Sequence, residues 1–153
     1  MKKRAIQNLL DLISIEGSTG REKLVAEYIK KKLIIAGCKR NWIRHDDAHK
    51  RLNMGFEIGN LIVQIPGTVK APRIMFSAHM DTVPLCRGAK PLIKGNRIIA
   101  KGKTGLGGDD RSGCAAILTL AETLLSKETQ RPPITLLFPI AEENGLHGSR
   151  MVR

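Results

Sequence analysis

The chain has 153 residues, 42% of them hydrophobic and 26% charged, with a formal net charge of +12. This is enough for one domain with a core, and the composition excludes wholesale disorder and a fibrous chain. No apolar run approaches the ~20 residues that a bilayer crossing requires, so we expect no membrane partner.

The positive charge invites a nucleic-acid function, but its distribution argues against one. The basic residues are spread along the chain, and one Trp, one Tyr and three Phe leave little aromatic surface for stacking on bases. We therefore expect no nucleic-acid partner. Cys38, Cys86 and Cys114 form an odd, widely spaced set, and the basic start lacks a signal-peptide cleavage site. Both features favour the cytoplasm.

Two amphipathic helices are predicted first, over residues 3–15 and 20–36. The second has an apolar stripe that ends before a capping Gly37, formed by Leu24, Val25, Tyr28, Ile29 and Leu33. Residues 39–58 are expected to be irregular. A strand is predicted over 60–65, and another, over 73–78, is apolar enough to be covered on both faces.

The second half of the chain continues the same alternation. Residues 91–101 predict a hairpin that turns at Gly95-Asn96, residues 111–126 a helix, and residues 134–140 a buried strand. This order of elements indicates an α/β domain with helices packed on a largely buried sheet.

Candidate chemistry begins at the end of the 73–78 strand, with His79 and Asp81. Alternation along a strand sends both side chains toward one side, where His79 can bind a metal while Asp81 orients the imidazole. Taken alone, the pair fits a turn aspartate beside a structural histidine better. Similarly, Asp109 and Asp110 at a helix start are ordinarily capping residues, although the flanking glycines suit a tight carboxylate site.

Glu142 and Glu143 follow the last apolar strand. Adjacent carboxylates repel each other unless a positive charge lies beside them, and a divalent metal would supply it. A solvated acidic turn is about equally compatible with this pair alone. Together, the three acidic or imidazole-bearing segments predict a two-zinc site, in which one Glu is a ligand and the other the general base.

These segments occur in SAHMDTVP (Ser77–Pro84), GGDDRSG (Gly107–Gly113) and AEENGLHGSR (Ala141–Arg150). In order and spacing, the chain resembles the M20 family of zinc peptidases, and most closely its peptidase T-like branch. The resemblance implies a three-layer α/β sandwich of helices on a mixed sheet. It also implies metal-dependent cleavage of the N-terminal residue from short peptides, the expected substrate partners.

The resemblance further implies individual roles. His79 would bind one zinc, Asp109 would bridge both zinc ions, and Glu143 would bind the other. Asp81 would orient His79, and Glu142 would act as general base and acid; both are therefore candidate catalytic residues. The Asp109–Asp110 peptide is expected to be cis, and Arg111 to replace a common Lys without functional effect. Cobalt or manganese could take the place of zinc.

The sequence departs from the family in length. Residues 1–153 correspond to the N-terminal part of the catalytic domain, without the lid and dimerisation domain or the C-terminal part of the catalytic domain. Three of five implied zinc ligands are present, so we expect the chain alone to be inactive and a homodimer only in the full-length form. Two alternatives remain open: a non-catalytic fragment with weak metal binding, and an M20 deacylase or carboxypeptidase acting on N-acyl amino acids.

Three histidines and one cysteine lie outside these roles. His45 and His49 are four residues apart, but because their segment is polar and expected to be irregular, we do not expect them to be metal ligands. His147 is expected to start a helix, and Cys114 to be a buried apolar thiol.

Overall fold

The computed structural model describes residues 1–125 and 130–152. Its helices are α1 (Lys2–Ser14), α2 (Lys23–Ile35), α3 (Ala48–Leu52), α4 (Gly108–Leu125) and α5 (His147–Arg150). Its strands are β1 (Ile43–His45), β2 (Leu61–Ile65), β3 (Ile74–Ser77), β4 (Pro91–Lys94), β5 (Arg97–Ala100) and β6 (Ile134–Phe138). Short 3-10 turns cover Arg40–Trp42 and Pro84–Cys86.

The main sheet has four strands in the order β1-β2-β6-β3 and is mixed. β2 runs antiparallel to β1 and β6, whereas β3 runs parallel to β6, with Phe76 opposite Leu136. Because β3 and β6 are parallel neighbours, their carboxyl ends meet at one edge of the sheet, where ligands bind in open α/β sheets. β4 and β5 form a separate hairpin that turns at Gly95.

Apolar residues from helices and sheet form one core. α4 packs against α1, α2 and β3. The two central strands, β2 and β6, are buried along almost their whole length, as strands covered on both faces must be. The fully buried side chains include Leu12, Ile29, Leu33, Leu61, Leu118 and Phe138.

The α/β class, the mixed sheet and the order of the predicted helices and strands are confirmed. Helix α4 is predicted to reach residue 126, which lies outside the described residues. Within α2, Leu24 is 62% exposed and does not belong to the apolar stripe, while Ala26 is buried there instead.

Two local predictions are wrong. Residues 39–58 are not irregular, because they contain β1 and α3. Strand β3 is not covered on both faces, because it lies at the end of the sheet with Ile74 44% and Met75 61% exposed. No helix among the described residues is both long enough and apolar enough to span a membrane.

Candidate metal centre

The ends of β3 and β6 bring the first four candidate residues together. His79 and Asp81 follow β3, and Glu142 and Glu143 follow β6. The Met80 N–H donates to the Pro139 carbonyl at 2.9 Å, so the two strands remain paired beyond their last ladder residues. The sequence therefore places these side chains correctly at a common sheet edge.

The fifth candidate, Asp109, comes from the start of α4. The backbone of Asp109 and Asp110 is non-helical, so the helix bends there, and the peptide between them is cis as predicted. Asp110 caps the following turn by accepting a hydrogen bond from the Gly113 N–H at 2.9 Å. The Asp109 side chain is 88% exposed and lies 3.2 Å from His79 Nε2.

Three of these residues form a candidate metal-binding group. His79, Asp109 and Glu143 each offer one ligand atom, and these atoms lie within 4.8 Å of one another. One imidazole and two carboxylates are ligands that zinc accepts, and three protein ligands leave a position free, as in catalytic zinc sites. The donor set therefore fits a divalent metal. It is the residue set that the resemblance implies.

Asp81 is completely buried and contacts several residues of the candidate metal centre. Its carboxylate accepts hydrogen bonds from the Glu142 N–H at 2.9 Å, the Glu143 N–H at 3.2 Å and the Thr19 hydroxyl at 2.8 Å. It also lies 3.3 Å from His79 Nδ1. Burial alone raises the pKa of Asp81, but His79 and these donors outweigh burial and lower the pKa below its ordinary value.

The orientation of His79 follows from its two ring nitrogens. Nδ1 faces only acceptors, the Asp81 carbonyl oxygen at 3.1 Å and the Asp81 carboxylate, so Nδ1 carries a proton. Nε2 points toward Asp109 and Glu142 and is the atom available to a cation. Burial lowers the pKa of His79, but Asp81, Asp109 and Glu142 raise it overall to about 9. The surrounding carboxylates thus attract positive charge to Nε2.

The two adjacent glutamates have different positions. Glu142 is half-buried, and its Oε2 lies 3.6 Å from His79 Nε2, outside the ligand group. Glu143 belongs to the ligand group and is exposed. Burial and the neighbouring Asp81, Asp109 and Glu142 raise the pKa of Glu143, although His79 opposes them. One member of the pair therefore belongs to the candidate ligand group, and the carboxylate of the other lies outside it.

Sequence reasoning missed Glu22, which fixes the segment before these glutamates. Its side chain is fully buried, and Oε1 accepts from the Gly20 N–H at 2.9 Å and the Ala141 N–H at 3.0 Å. Ala141 has a φ of +50°, the left-handed conformation that non-glycine residues rarely adopt. Burial raises the pKa of Glu22 to about 6. No sequence signal connects residues 22 and 141.

Arg111 and Asn60 also hold backbone near the site. The guanidinium of Arg111 is buried and donates to the carbonyl oxygens of Leu12 at 3.0 Å and Gly17 at 3.2 Å. Asn60 accepts from the Ile140 N–H at 3.0 Å and donates to the Gly148 carbonyl at 2.8 Å. From the sequence, Arg111 is expected only to replace a Lys without functional effect. Its hydrogen bonds to the backbone of Leu12 and Gly17 were therefore also missed.

The remaining candidates lie outside the site. His45 on β1 faces the Gly59 carbonyl at 3.1 Å, and His49 lies on α3; neither joins a metal-binding group among the described residues. His147 begins α5, and Cys114 is completely buried, both as predicted. Cys114 donates to the His79 carbonyl at 3.1 Å, which links α4 to the backbone of the candidate ligand.

Comparison with known proteins supports a peptidase, but the family that it names is M28, which is related to the M20 family that the motifs resemble. The model of peptidase family M28 matches residues 60–152. A tripeptidase from Staphylococcus aureus superposes on the whole chain with a TM-score of 0.88 at 28% identity, and the match covers 40% of that protein. The aminopeptidase PepT from Bacillus cereus gives 0.89 at 29% identity, again over the whole chain and 40% of the relative.

A curated relative, the uncharacterized protein YqjE from Bacillus subtilis, is 30% identical over 149 residues. That match covers 97% of this chain and 39% of YqjE. The chain therefore spans about two fifths of the length of these three relatives.

Proposed function

Because the chain belongs to peptidase family M28, we propose that it carries the metal-binding part of an exopeptidase catalytic domain that removes N-terminal residues from short peptides. The observation that carries this proposal is the group of His79, Asp109 and Glu143, with ligand atoms within 4.8 Å and Glu142 beside them. The motif forms, and the likeness to a tripeptidase and to PepT, support a peptidase T-like activity of the kind that the resemblance of the motifs to the related M20 family implies.

His79, Asp109 and Glu143 would hold the metal. A divalent metal bound there supplies positive charge that lowers the pKa of water toward neutrality and polarises a peptide carbonyl. We propose zinc, two per complete site with Asp109 shared, because imidazole and carboxylate suit zinc and the three residues are three of the five ligands that the resemblance implies.

We assign the general base and general acid role to Glu142. Its carboxylate is outside the ligand group, 35% exposed, and 3.6 Å from His79 Nε2. It can accept a proton from an attacking water and deliver it to the leaving amine. Asp81 holds the His79 ring and the Glu142 backbone in place, since it contacts both. Asp81 is thus a positioning residue for both of them.

We also propose that the protein works in the cytoplasm. Cys38, Cys86 and Cys114 are unpaired in the structure, as expected of a reducing compartment.

Zinc binding by the isolated chain is the decisive test, because it requires only the three ligands described. Isothermal titration with Zn²⁺ should show binding that is lost in His79→Ala and retained in Glu142→Gln. His45→Ala, a histidine outside the group, is the matched control and should bind as the unmodified chain does. Equal binding by His79→Ala and the unmodified chain would refute the site.

The reaction is tested by comparing a tripeptide that has a free amino terminus with its N-acetylated form. We expect that any form of the protein with measurable turnover cleaves only the free peptide and requires zinc to do so. The Glu142→Gln variant of that form should lose this cleavage. Cleavage of the acetylated substrate instead would favour a deacylase.

A further inference from the structure

Arg111 is a buried cation whose hydrogen bonds go to backbone carbonyls. It directly follows Asp109 and Asp110 at the start of α4 and is 1% exposed. Nη1 donates to the Leu12 carbonyl at 3.0 Å and Nη2 to the Gly17 carbonyl at 3.2 Å, while Nε has no partner among the described residues. A buried cation without a paired carboxylate costs free energy that an apolar side chain of similar size would not. Stability alone therefore does not explain an arginine at this position.

The two carbonyls lie at the start of the α1–α2 loop, residues 15–22. Leu12 is in the last turn of α1, where carbonyls lack the usual helical partner and a positive charge is favoured. Gly17 is inside the loop, and a Cβ there would lie 2.6 Å from Arg111 Nη2, so glycine lets the guanidinium reach this carbonyl. Arg111 thus fixes the start of α4 to the loop. The Asp109 side chain is 88% exposed, so its position depends on this backbone.

The same loop contacts the segment that carries His79. The Gly17 carbonyl, which Arg111 binds, also accepts from the Thr82 N–H at 3.1 Å. The Thr19 hydroxyl donates to the Asp81 carboxylate at 2.8 Å, and that carboxylate lies 3.3 Å from His79 Nδ1. The loop therefore holds both the backbone and a side chain of the residues that follow His79.

A third contact reaches the segment that carries Glu143. At the end of the loop, Glu22 Oε1 accepts from the Gly20 N–H at 2.9 Å and from the Ala141 N–H at 3.0 Å. Ala141 precedes Glu143 by two residues. The three segments that carry the candidate ligands are far apart in the sequence, yet each is bound to this one short loop.

We propose that Arg111 is a positioning residue for Asp109, whose backbone it fixes to the α1–α2 loop. Together with Thr19 and Glu22, it makes this loop the common support that sets the spacing of the three ligands. The inference rests on the proposed metal site, but the contacts of the loop exist without metal. It differs from the expectation that Lys is equivalent at position 111, because an ammonium group cannot reproduce the planar fork by which the guanidinium spans both carbonyls.

The first test compares metal binding by Arg111→Met, Arg111→Lys and the unmodified chain. Titration with Zn²⁺ gives the affinity, and the visible absorption of bound Co²⁺ reports the geometry of the ligands. Arg111→Met removes both hydrogen bonds, so we expect about 10-fold weaker zinc binding and a changed Co²⁺ spectrum, with Arg111→Lys intermediate. Arg131→Met is the matched control and should bind as the unmodified chain does. Arg131 also donates to a helix-end carbonyl, that of Leu124 at 3.3 Å, but it precedes β6, whose other end leads to Glu142.

The second test is hydrogen exchange in EDTA, which follows the loop without metal. In Arg111→Met, the Thr82 and Ala141 amides, both bonded to the loop, should lose protection. The Ile74 amide, at the other end of β3, donates to the Pro133 carbonyl at 3.0 Å and should keep its protection.

Thermal unfolding shows whether each variant is folded, and Arg111→Lys takes the place of Arg111→Met in both tests if the latter is not. An unchanged zinc affinity and Co²⁺ spectrum, or an equal loss of affinity in Arg131→Met, overturns the role of Arg111. Unchanged exchange at Thr82 and Ala141, or equal loss of protection at Ile74, overturns the loop as a local support. If the unmodified chain binds no zinc, the proposed function fails, and exchange alone decides whether the loop holds these segments.

Discussion

Replacing Asp81 with Asn tests the central role given to this buried carboxylate. The substitution keeps the size of the side chain but removes its charge and turns one acceptor oxygen into a donor. Both carboxylate oxygens are in use: Oδ1 accepts from the Glu142 N–H, and Oδ2 accepts from Thr19 and the Glu143 N–H. Whichever way the amide turns, its NH₂ group faces at least one donor.

The expected loss of stability is large. Breaking a buried charged pair by removing one partner costs about 3–5 kcal/mol, and here His79 lies 3.3 Å from the carboxylate. A donor left facing a donor costs a further ~1–3 kcal/mol, although relaxation makes the two effects less than additive. We therefore expect Asp81→Asn to lower the free energy of unfolding by about 3–5 kcal/mol.

Zinc affinity should fall as well, because Asp81 holds the imidazole of a proposed ligand. Loss of such an orienting partner typically weakens metal binding by about 10–100-fold. Urea unfolding in EDTA measures the stability, and titration with Zn²⁺, corrected for the folded fraction, measures the affinity. Asp11→Asn is the control, since Asp11 accepts hydrogen bonds from Gln7 and Tyr28 at 2.7 Å on α1, away from the site.

The two readouts separate a positioning role from a merely structural one. Asp11→Asn should lower stability modestly and leave zinc affinity unchanged. If Asp81→Asn lost stability but bound zinc as tightly as the unmodified chain, the orienting role of Asp81 would be refuted. If neither the free energy of unfolding nor the zinc affinity changed in Asp81→Asn, the hydrogen bonds assigned to Asp81 would be refuted.

Three further predictions concern stability. The pKa of Glu22 is raised to about 6 in the fold from 4.5, so its contribution is fully present below pH 4.5 and is lost as pH rises through 6. That loss is about 2 kcal/mol in the free energy of unfolding, and urea unfolding between pH 4.5 and 6 should show it in the unmodified chain but not in Glu22→Gln. The same pH dependence of stability in both proteins would contradict the raised pKa of Glu22. Phe138→Ala, at a fully buried position, should cost about 3–5 kcal/mol in the same assay, and a cost near zero would contradict the packing. In Gly148→Ala the new Cβ would press on the Ile140 backbone and Asn60; we expect a loss of about 1–3 kcal/mol in thermal unfolding, and an unchanged melting temperature would show that this contact is not tight.

The sequence predicted which candidate side chains lie close together better than it predicted their surroundings. An apolar run that ends in His or paired Glu is a local pattern, and in parallel neighbours such as β3 and β6 that pattern determines where the side chains meet. The exposure of β3 could not be predicted in this way. Whether an apolar strand is central or at an edge depends on which strands pair with it, and composition does not encode that.

Glu22, Asn60 and Arg111 were missed for a different reason. Each bonds backbone atoms far away in the chain, such as the 119-residue separation between Glu22 and Ala141. Any N–H or C=O group can be such a partner, so the identity of the distant residue carries no signal. A polar residue inside an amphipathic helix start, as at Glu22, indicates only that something polar must be nearby.

The backbone contacts explain how two adjacent glutamates acquire separate roles. The N–H groups of Ala141, Glu142 and Glu143 are all held by buried carboxylates, the first by Glu22 and the other two by Asp81. This arrangement stabilises the left-handed conformation at Ala141, which costs about 1–3 kcal/mol without such support.

Asp81 and Glu22, the two carboxylates that hold this backbone, differ in how many neighbouring groups stabilise their negative charge. Asp81 has three hydrogen-bond donors and His79 beside it, and its pKa is lowered. By contrast, one oxygen of the fully buried Glu22 has no hydrogen-bond partner among the described residues, and the pKa of Glu22 is raised to about 6. Both are ionised at neutral pH. As pH falls through 6, Glu22 is therefore the first of the two supports to lose its charge.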